Sequence, residues 1–258
     1  MKIICCDLDG VVWRGAEPIP GSARAIADLR AAGLRVVFLT NNSSGRVQDN
    51  VARLAAAGVK TDPADVLSSA QSAAALAART LAPDARVLAC AGPGVVEAAT
   101  ECGFTVVDDG PADAVLVGWH RTFDFERLRR AADAVRAGAR FIATNRDPTY
   151  PGEHGLLPGA GAIVAAVQTA SGRAPETAGK PEPAMAAFVK ERVGEAAIMI
   201  GDRPSTDGAF ATVLGCPFAL VLSGVAGMAG EEAIPTPAPP FVAADLGALA
   251  PELIDAVA

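Results

Sequence analysis

Short apolar runs alternate with longer, alanine-rich amphipathic stretches along almost the whole 258-residue chain. The apolar runs read as buried strands. They are Ile3-Ile4-Cys5-Cys6, Leu34–Leu39, Asp65–Ser69, Arg86–Ala91, Phe104–Val107, Ala114–Val117, Arg140–Thr144, Ala197–Ile200 and Phe218–Leu222. Between them the spacing predicts helices. One is N-capped by Ser22 and stopped by Gly33, the next ends at Gly58, and Gln71–Leu81 is a third. Gly92-Pro93-Gly94 opens another, which ends at Gly103, and Phe125–Ala137 follows. A Pro/Gly-rich loop leads into a helix at Ala160–Ala170; later helices run from Gly179-Lys180-Pro181 to Arg192 and to near Gly215, and a short one ends the chain. Continuous apolar strands separated by amphipathic helices predict an α/β fold with a largely parallel sheet.

Composition narrows the picture. Half the residues are apolar (51%) and only 20% are charged, which suits a packed core and argues against disorder. The net charge of −7 gives no basic excess for nucleic acid or a membrane surface. No apolar stretch reaches membrane-spanning length. The cysteines, Cys5, Cys6, Cys90, Cys102 and Cys216, form no CxxC pair or Cys/His cluster and read as reduced core residues of a cytoplasmic protein. His120 and His154 have no ligand at metal spacing and read as loop residues.

The chemistry lies at strand ends. Asp7-Leu8-Asp9-Gly10 closes the first strand. Side chains at i and i+2 of a strand point the same way, so the two acids converge and repel unless a cation lies between them. The crevice beyond strand C-termini is also where open parallel sheets bind ligands. A metal-assisted phosphate site follows; a polar turn would explain Gly10 but not two acids before it. Thr40-Asn41-Asn42 ends another strand, and its hydroxyl and backbone N–H groups suit either phosphate oxygens or a helix cap. Lys180 stands before a helix, as a phosphate-binding point charge or as solvated surface. Asp202 has the strand-tip position to share a metal with Asp7, and Asp207 fits either the same site or a helix N-terminus.

DLDG, Thr40, Lys180 and GDRPSTD at Gly201–Asp207, in that order, resemble the motif set of the haloacid dehalogenase (HAD) superfamily. The insertion between the second and third motifs is similar to the cap of its p-nitrophenyl-phosphatase-like subfamily. So are the segments Gly138–Asn145, Pro158–Gly161 and Gly179–Pro183. That group includes nucleotide, pyridoxal-phosphate and phosphoglycolate phosphatases. The resemblance implies a Rossmann-like core at 1–69 and 179–258, with an inserted α/β cap at 70–178. It implies a Mg²⁺-dependent phosphatase of a small-molecule phosphomonoester. Asp7 would be the nucleophile, giving an aspartyl-phosphate, and Asp9 the acid and base. Asp7, the Asp9 carbonyl and Asp202 would hold Mg²⁺; Thr40, Asn41, Asn42 and Lys180 would bind phosphate; Asp207 would orient Lys180 or metal-bound water. One departure from the pattern of relatives is Pro204-Ser205, which leaves both acids in place. In the cap, Arg146 and Tyr150, beside Asp147, are expected to select the organic group. Trp13 and Arg14 sit where they can either touch substrate or pack. Cap-to-cap homodimers are common in the subfamily. A phosphotransferase or mutase on the same core, or a non-catalytic phosphometabolite binder, are the alternatives.

Overall fold

The structure is a computed structural model that describes residues 1–152, 155–228 and 232–257. The chain opens with β1 (Ile3–Asp7), the small hairpin β2 (Trp13–Arg14) and β3 (Glu17–Pro18), α1 (Ser22–Ala31), β4 (Arg35–Thr40), α2 (Val47–Ala56) and β5 (Val66–Ser68). The middle comprises α3 (Ser69–Ala78), β6 (Arg86–Cys90), α4 (Pro93–Glu101), β7 (Thr105–Val107), β8 (Ala114–Val117), α5 (Phe125–Arg136) and β9 (Arg140–Ala143). It continues through β10 (Thr149–Gly152), β11 (Gly155–Pro158), α6 (Ala160–Ser171) and β12 (Glu176–Thr177). The last stretch holds α7 (Pro183–Val193), β13 (Ala196–Gly201), α8 (Ala209–Leu214), β14 (Phe218–Val221), β15 (Phe241–Ala243) and α9 (Leu246–Val257).

These strands form two parallel sheets. The six-stranded sheet, β15-β14-β13-β1-β4-β5, draws on both ends of the chain, and the five-stranded sheet, β12-β9-β8-β6-β7, on the middle alone. Alternate residues of β1 enter opposite cores, Ile4 and Cys6 on one face, Ile3 and Cys5 on the other. Helices therefore cover both faces, which is why the strand is apolar throughout. The inserted sheet repeats the arrangement, with Ala114 and Leu116 on one face of β8 and Val115 and Val117 on the other.

The central place of β1 positions the site. It pairs with β4 on one side and β13 on the other, and Asp7 lies opposite Leu39, just before Thr40. The tips of three neighbouring strands thus bring Asp7, Thr40 and Asp202 together at the carboxyl edge. Gly10 completes this corner. Its φ is +89°, and a Cβ there would stand 2.3 Å from Asp202 Oδ2.

Several local expectations need correction. Ser22 does not cap α1; Gly21 does, with φ 85°, and the Ser22 hydroxyl donates instead to Val11 O at 2.9 Å. The third helix starts earlier than expected, at Ser69, because Ser68 and Gln71 form a capping box. The Lys180 helix starts at Pro183. The Pro/Gly-rich stretch expected as a loop contains the hairpin β10–β11. His120 is in a loop but buried, its Nδ1 3.0 Å from Gly118 O; His154 lies outside the described residues. Among the described residues no helix is long and apolar enough to cross a membrane.

The two sheets are tightly joined. At the junction α3 continues straight from β5. Ala70, Ala73 and Ala74 pack into the inserted core, while Ala75 faces the other. The core loop Ser43–Gly45 also docks against the start of α4. Gly94 N donates to Ser44 O at 3.1 Å, and Ser43 Oγ meets Thr144 Oγ1 at 2.9 Å. A Cβ on Gly94 would stand 2.1 Å from Gly45 O. Ala is ordinarily the better helix former by about 1 kcal/mol. Gly94→Ala should nevertheless destabilise the protein, by about 1–3 kcal/mol, because backbone must move to admit the methyl. Urea denaturation measures this; an unchanged or raised midpoint would contradict the close docking.

Candidate active site

Lys180 is the centre of the site. It is only 2% exposed, yet its ammonium donates to Asp7 Oδ1 at 2.6 Å and to Asp207 Oδ1 at 2.7 Å. Burial pulls its pKa down, but the two carboxylates outweigh this and hold it above the ordinary lysine value. Asn41 fixes the lysine backbone. Its Oδ1 accepts from Lys180 N at 2.8 Å, and its Nδ2 donates to Lys180 O at 2.9 Å and to Asp147 Oδ2 at 3.0 Å. The Asn41 side chain is thus committed to the protein. Its backbone N–H is the group left to meet a phosphate, while the buried Thr40 hydroxyl accepts from Asn42 N at 3.0 Å and retains its own proton to donate.

Asp207 reaches Lys180 from a wide turn over Pro204–Gly208, and its Oδ2 accepts from Arg203 N at 3.2 Å. Asp202 comes from the tip of β13 and accepts from Val225 N at 2.6 Å. Oxygens of Asp7, Asp202 and Asp207 lie within 4.8 Å of one another. Burial raises the Asp7 carboxyl well above the usual range despite Lys180. Burial, then Asp207, pushes Asp202 up to about 7. One ammonium therefore faces three buried carboxylates, and the donor set is all oxygen. That set fits a hard divalent cation beside Asp7 and Asp202, since Asp207 already serves Lys180 and Arg203.

Asp9 lies across the cavity. Its Oδ1 accepts from Trp13 Nε1 at 2.8 Å and Tyr150 OH at 3.3 Å, with Arg53 Nη1 at 3.8 Å. Burial raises its pKa, against the pull of Arg53 and the Trp13 and Tyr150 hydrogen bonds. Trp13 is buried and stacked under the Arg53 guanidinium at 3.9 Å. Arg14 turns away, its Nε donating to Ser223 O at 3.0 Å.

Asp7, Asp9, Thr40, Asn41, Asn42, Tyr150, Lys180, Asp202 and Asp207 all line one cavity of about 50 Å³. Arg146 does not; it is exposed and away from the lining. Asp147, its neighbour in this irregular stretch, turns inward instead, to Asn41 Nδ2 at 3.0 Å and to Thr206 Oγ1 at 3.5 Å. Arg53, Arg203 and Thr206 escaped sequence reasoning. Arg203 and Thr206 lie inside the GDRPSTD motif, which was a usable signal; Arg53, on the face of an ordinary amphipathic helix, carried none.

A family model described as haloacid dehalogenase-like hydrolase matches residues 4–105, and a second HAD-hydrolase-like model matches residues 177–249. The D-glycerol 3-phosphate phosphatase of Mycobacterium tuberculosis is 42% identical over 223 residues, 85% of this chain and 62% of the relative. The chain therefore spans less than two thirds of that protein. The crystal structure of glycerol phosphate phosphatase from Mycobacterium tuberculosis in complex with magnesium superposes with a TM-score of 0.86 at 38% identity, covering 96% of this chain and 76% of that one. The p-nitrophenyl phosphatase from Archaeoglobus fulgidus gives 0.86 at 28% identity, covering 99% of each chain. The fold and motif order define a haloacid dehalogenase-type hydrolase. The chain belongs to that superfamily, in its p-nitrophenyl-phosphatase-like branch.

The raised Asp202 carboxyl has a thermodynamic consequence. Its folded value of about 7 exceeds the ordinary 3.8, so its contribution to stability is full below about pH 4 and is lost as pH rises through 7. A bound cation favours the ionised form and the folded state together. Millimolar Mg²⁺ should raise the thermal midpoint more at pH 8 than at pH 5.5, relative to EDTA. An equal shift at both pH values would place the cation elsewhere.

Proposed function

We propose that this protein is a Mg²⁺-dependent phosphatase of small phosphomonoesters, with polyol phosphates such as glycerol phosphate as the leading substrate class. The reading rests above all on Asp7, placed at the central strand tip with one oxygen held by Lys180 and three strand ends converging on it. The mycobacterial glycerol phosphate phosphatase and its magnesium-bound crystal structure support the substrate class and the metal. Residues 1–69 and 179–258 serve as the catalytic core and 70–178 as the cap, a division supported by the chain segments that build each sheet.

In the proposed mechanism, Asp7 Oδ2 attacks phosphorus while the bond to the leaving oxygen breaks. Asp9 gives its proton to that oxygen, so an alcohol and an aspartyl-phosphate result. Asp9 then takes a proton from water as the water attacks phosphorus, which releases phosphate and restores both acids. Lys180, the Thr40 hydroxyl and the backbone of Asn41 and Asn42 hold the non-bridging oxygens as charge spreads over them. Asp207 and the Asn41 side chain keep Lys180 in place. Asp7, the Asp9 carbonyl and Asp202 would hold Mg²⁺, which when bound supplies the positive charge that lets a phosphate dianion approach a carboxylate.

The buried, unpaired Cys5, Cys6 and Cys90 support action in a reducing compartment, the cytoplasm. Phe125, 76% exposed, and Val96, 40% exposed, are exposed apolar side chains of the inserted segment and favour a homodimer through the cap.

A panel of phosphomonoesters tests the activity. Free phosphate should appear with Mg²⁺ and no added acceptor, and should not appear with EDTA; transfer only to an added sugar would indicate a phosphotransferase. Asp7→Asn should reduce turnover by at least a thousandfold while the circular dichroism spectrum is retained, because the amide is nearly isosteric but is no nucleophile. Turnover within tenfold of the parent would remove Asp7 from the covalent step.

For Asp9→Asn, kcat/KM for alkyl phosphates should fall by roughly 10²–10⁴-fold, and clearly less for p-nitrophenyl phosphate, whose leaving group hardly needs a proton. Equal losses on both classes would contradict the acid role.

A further inference from the structure

We infer that Tyr150 is a positioning residue for Asp9, through which the cap completes the acid of the core. The inference rests on the reading of Asp9 as the proton donor.

The direction of the hydrogen bonds carries it. Ser44 donates to Asn42 Oδ1 twice, from its N at 3.1 Å and from its Oγ at 2.7 Å, which fixes that atom as the amide oxygen. Asn42 Nδ2 is therefore the donor to Tyr150 OH at 3.1 Å. With its lone pair engaged by the amide, the phenol points its single proton at Asp9 Oδ1, 3.3 Å away. The Tyr150 ring cannot easily drift, since it lies against Trp119 with centroids 4.9 Å apart.

Asp9 has two further donors, and both come from the core. Trp13 Nε1 reaches the same Oδ1 at 2.8 Å, and Arg53 Nη1 stands 3.8 Å from it. All three groups converge on one oxygen. Among the described residues, Oδ2 accepts no hydrogen bond, so it is the oxygen available to exchange a proton with the leaving group. Tyr150 is the only one of the three supplied by the inserted segment. Its place in the cavity wall suggests a contact to substrate; its hydrogen bonds assign it to the acid instead.

A contact to substrate and a positioning role differ in what they scale with. A substrate contact follows the shape of the alcohol, whereas a misplaced acid follows how badly the leaving oxygen needs a proton. The experiment measures kcat/KM, which reports the phosphorylation step, for glycerol 3-phosphate, ethyl phosphate and p-nitrophenyl phosphate. It compares the parent, Tyr150→Phe and Asp9→Asn, each with Mg²⁺. Tyr150→Phe keeps the ring against Trp119 and removes only the hydroxyl. It should lower kcat/KM for the two alkyl esters alike, by roughly tenfold, the scale of one hydrogen bond to a charged group. The loss for p-nitrophenyl phosphate should be several-fold smaller. Losses that differ between glycerol 3-phosphate and ethyl phosphate would make Tyr150 a substrate contact and overturn the inference. A uniform loss over all three esters, or no loss, would overturn it too. If Asp9→Asn separates the esters and Tyr150→Phe does not, the positioning role falls while the acid assignment stands. If Asp9→Asn fails to separate them, both fall.

Discussion

The ammonium of Lys180, buried between Asp7 and Asp207, is the constraint around which the site is arranged. A lysine removed from water is costly to keep charged, and it stays charged here only because two carboxylates face it within hydrogen-bonding distance. Each partner comes from a different part of the chain. Asp7 ends the first strand, Asp207 follows β13, the fourth strand of the core sheet in chain order, and Lys180 returns from the inserted segment. Folding must bring all three together before any of them is compensated. Asn41, which grips the Lys180 backbone on both its N–H and its carbonyl, gives that meeting a fixed geometry.

A local excess of negative charge is the counterpart of this arrangement. The lysine satisfies Asp7 and Asp207, but Asp202 remains buried beside them with a backbone N–H as its hydrogen-bond donor. Such a site is unfavourable when empty of positive charge and favourable when it is supplied. Cation binding at such a site and the cost of leaving it without a cation would have one physical origin, the burial of more carboxylates than the protein itself neutralises.

Much of this was legible in the sequence because its parts sit where local rules are strict. Strands apolar on both faces, such as Ile3–Asp7 and Ala114–Val117, can only be covered on both sides, and an acid pair after such a strand has no packing explanation. Asp7, Asp9 and Asp202 were legible on that basis, whereas Thr40 and Lys180, each open to a second reading alone, became legible only through their order in the HAD-like motif set. What was not legible depends on direction within irregular chain. Arg146 and Asp147 are adjacent and both charged, and nothing local says which turns inward; the approach of Asn41 and Thr206 decides it. The hairpin β10–β11 is short and broken by Pro and Gly, so period-two alternation has too few positions to appear. Arg53 is set by the stack on Trp13, a tertiary contact with no sequence period.

The docking of Ser43–Gly45 against the start of α4 bears on modularity. In an open parallel sheet, the crevice beyond the strand tips ordinarily receives a ligand. Here the inserted sheet receives core backbone, with Gly94 donating to Ser44 O and Ser43 paired with Thr144 across the boundary. The same loop begins at the Thr40 end that faces the cavity. The insertion is thus not an interchangeable accessory. A chimaera carrying another relative's insertion would have to bring a matching 43–45 loop with it, and in exchanging that loop it would alter the core it was meant to leave untouched.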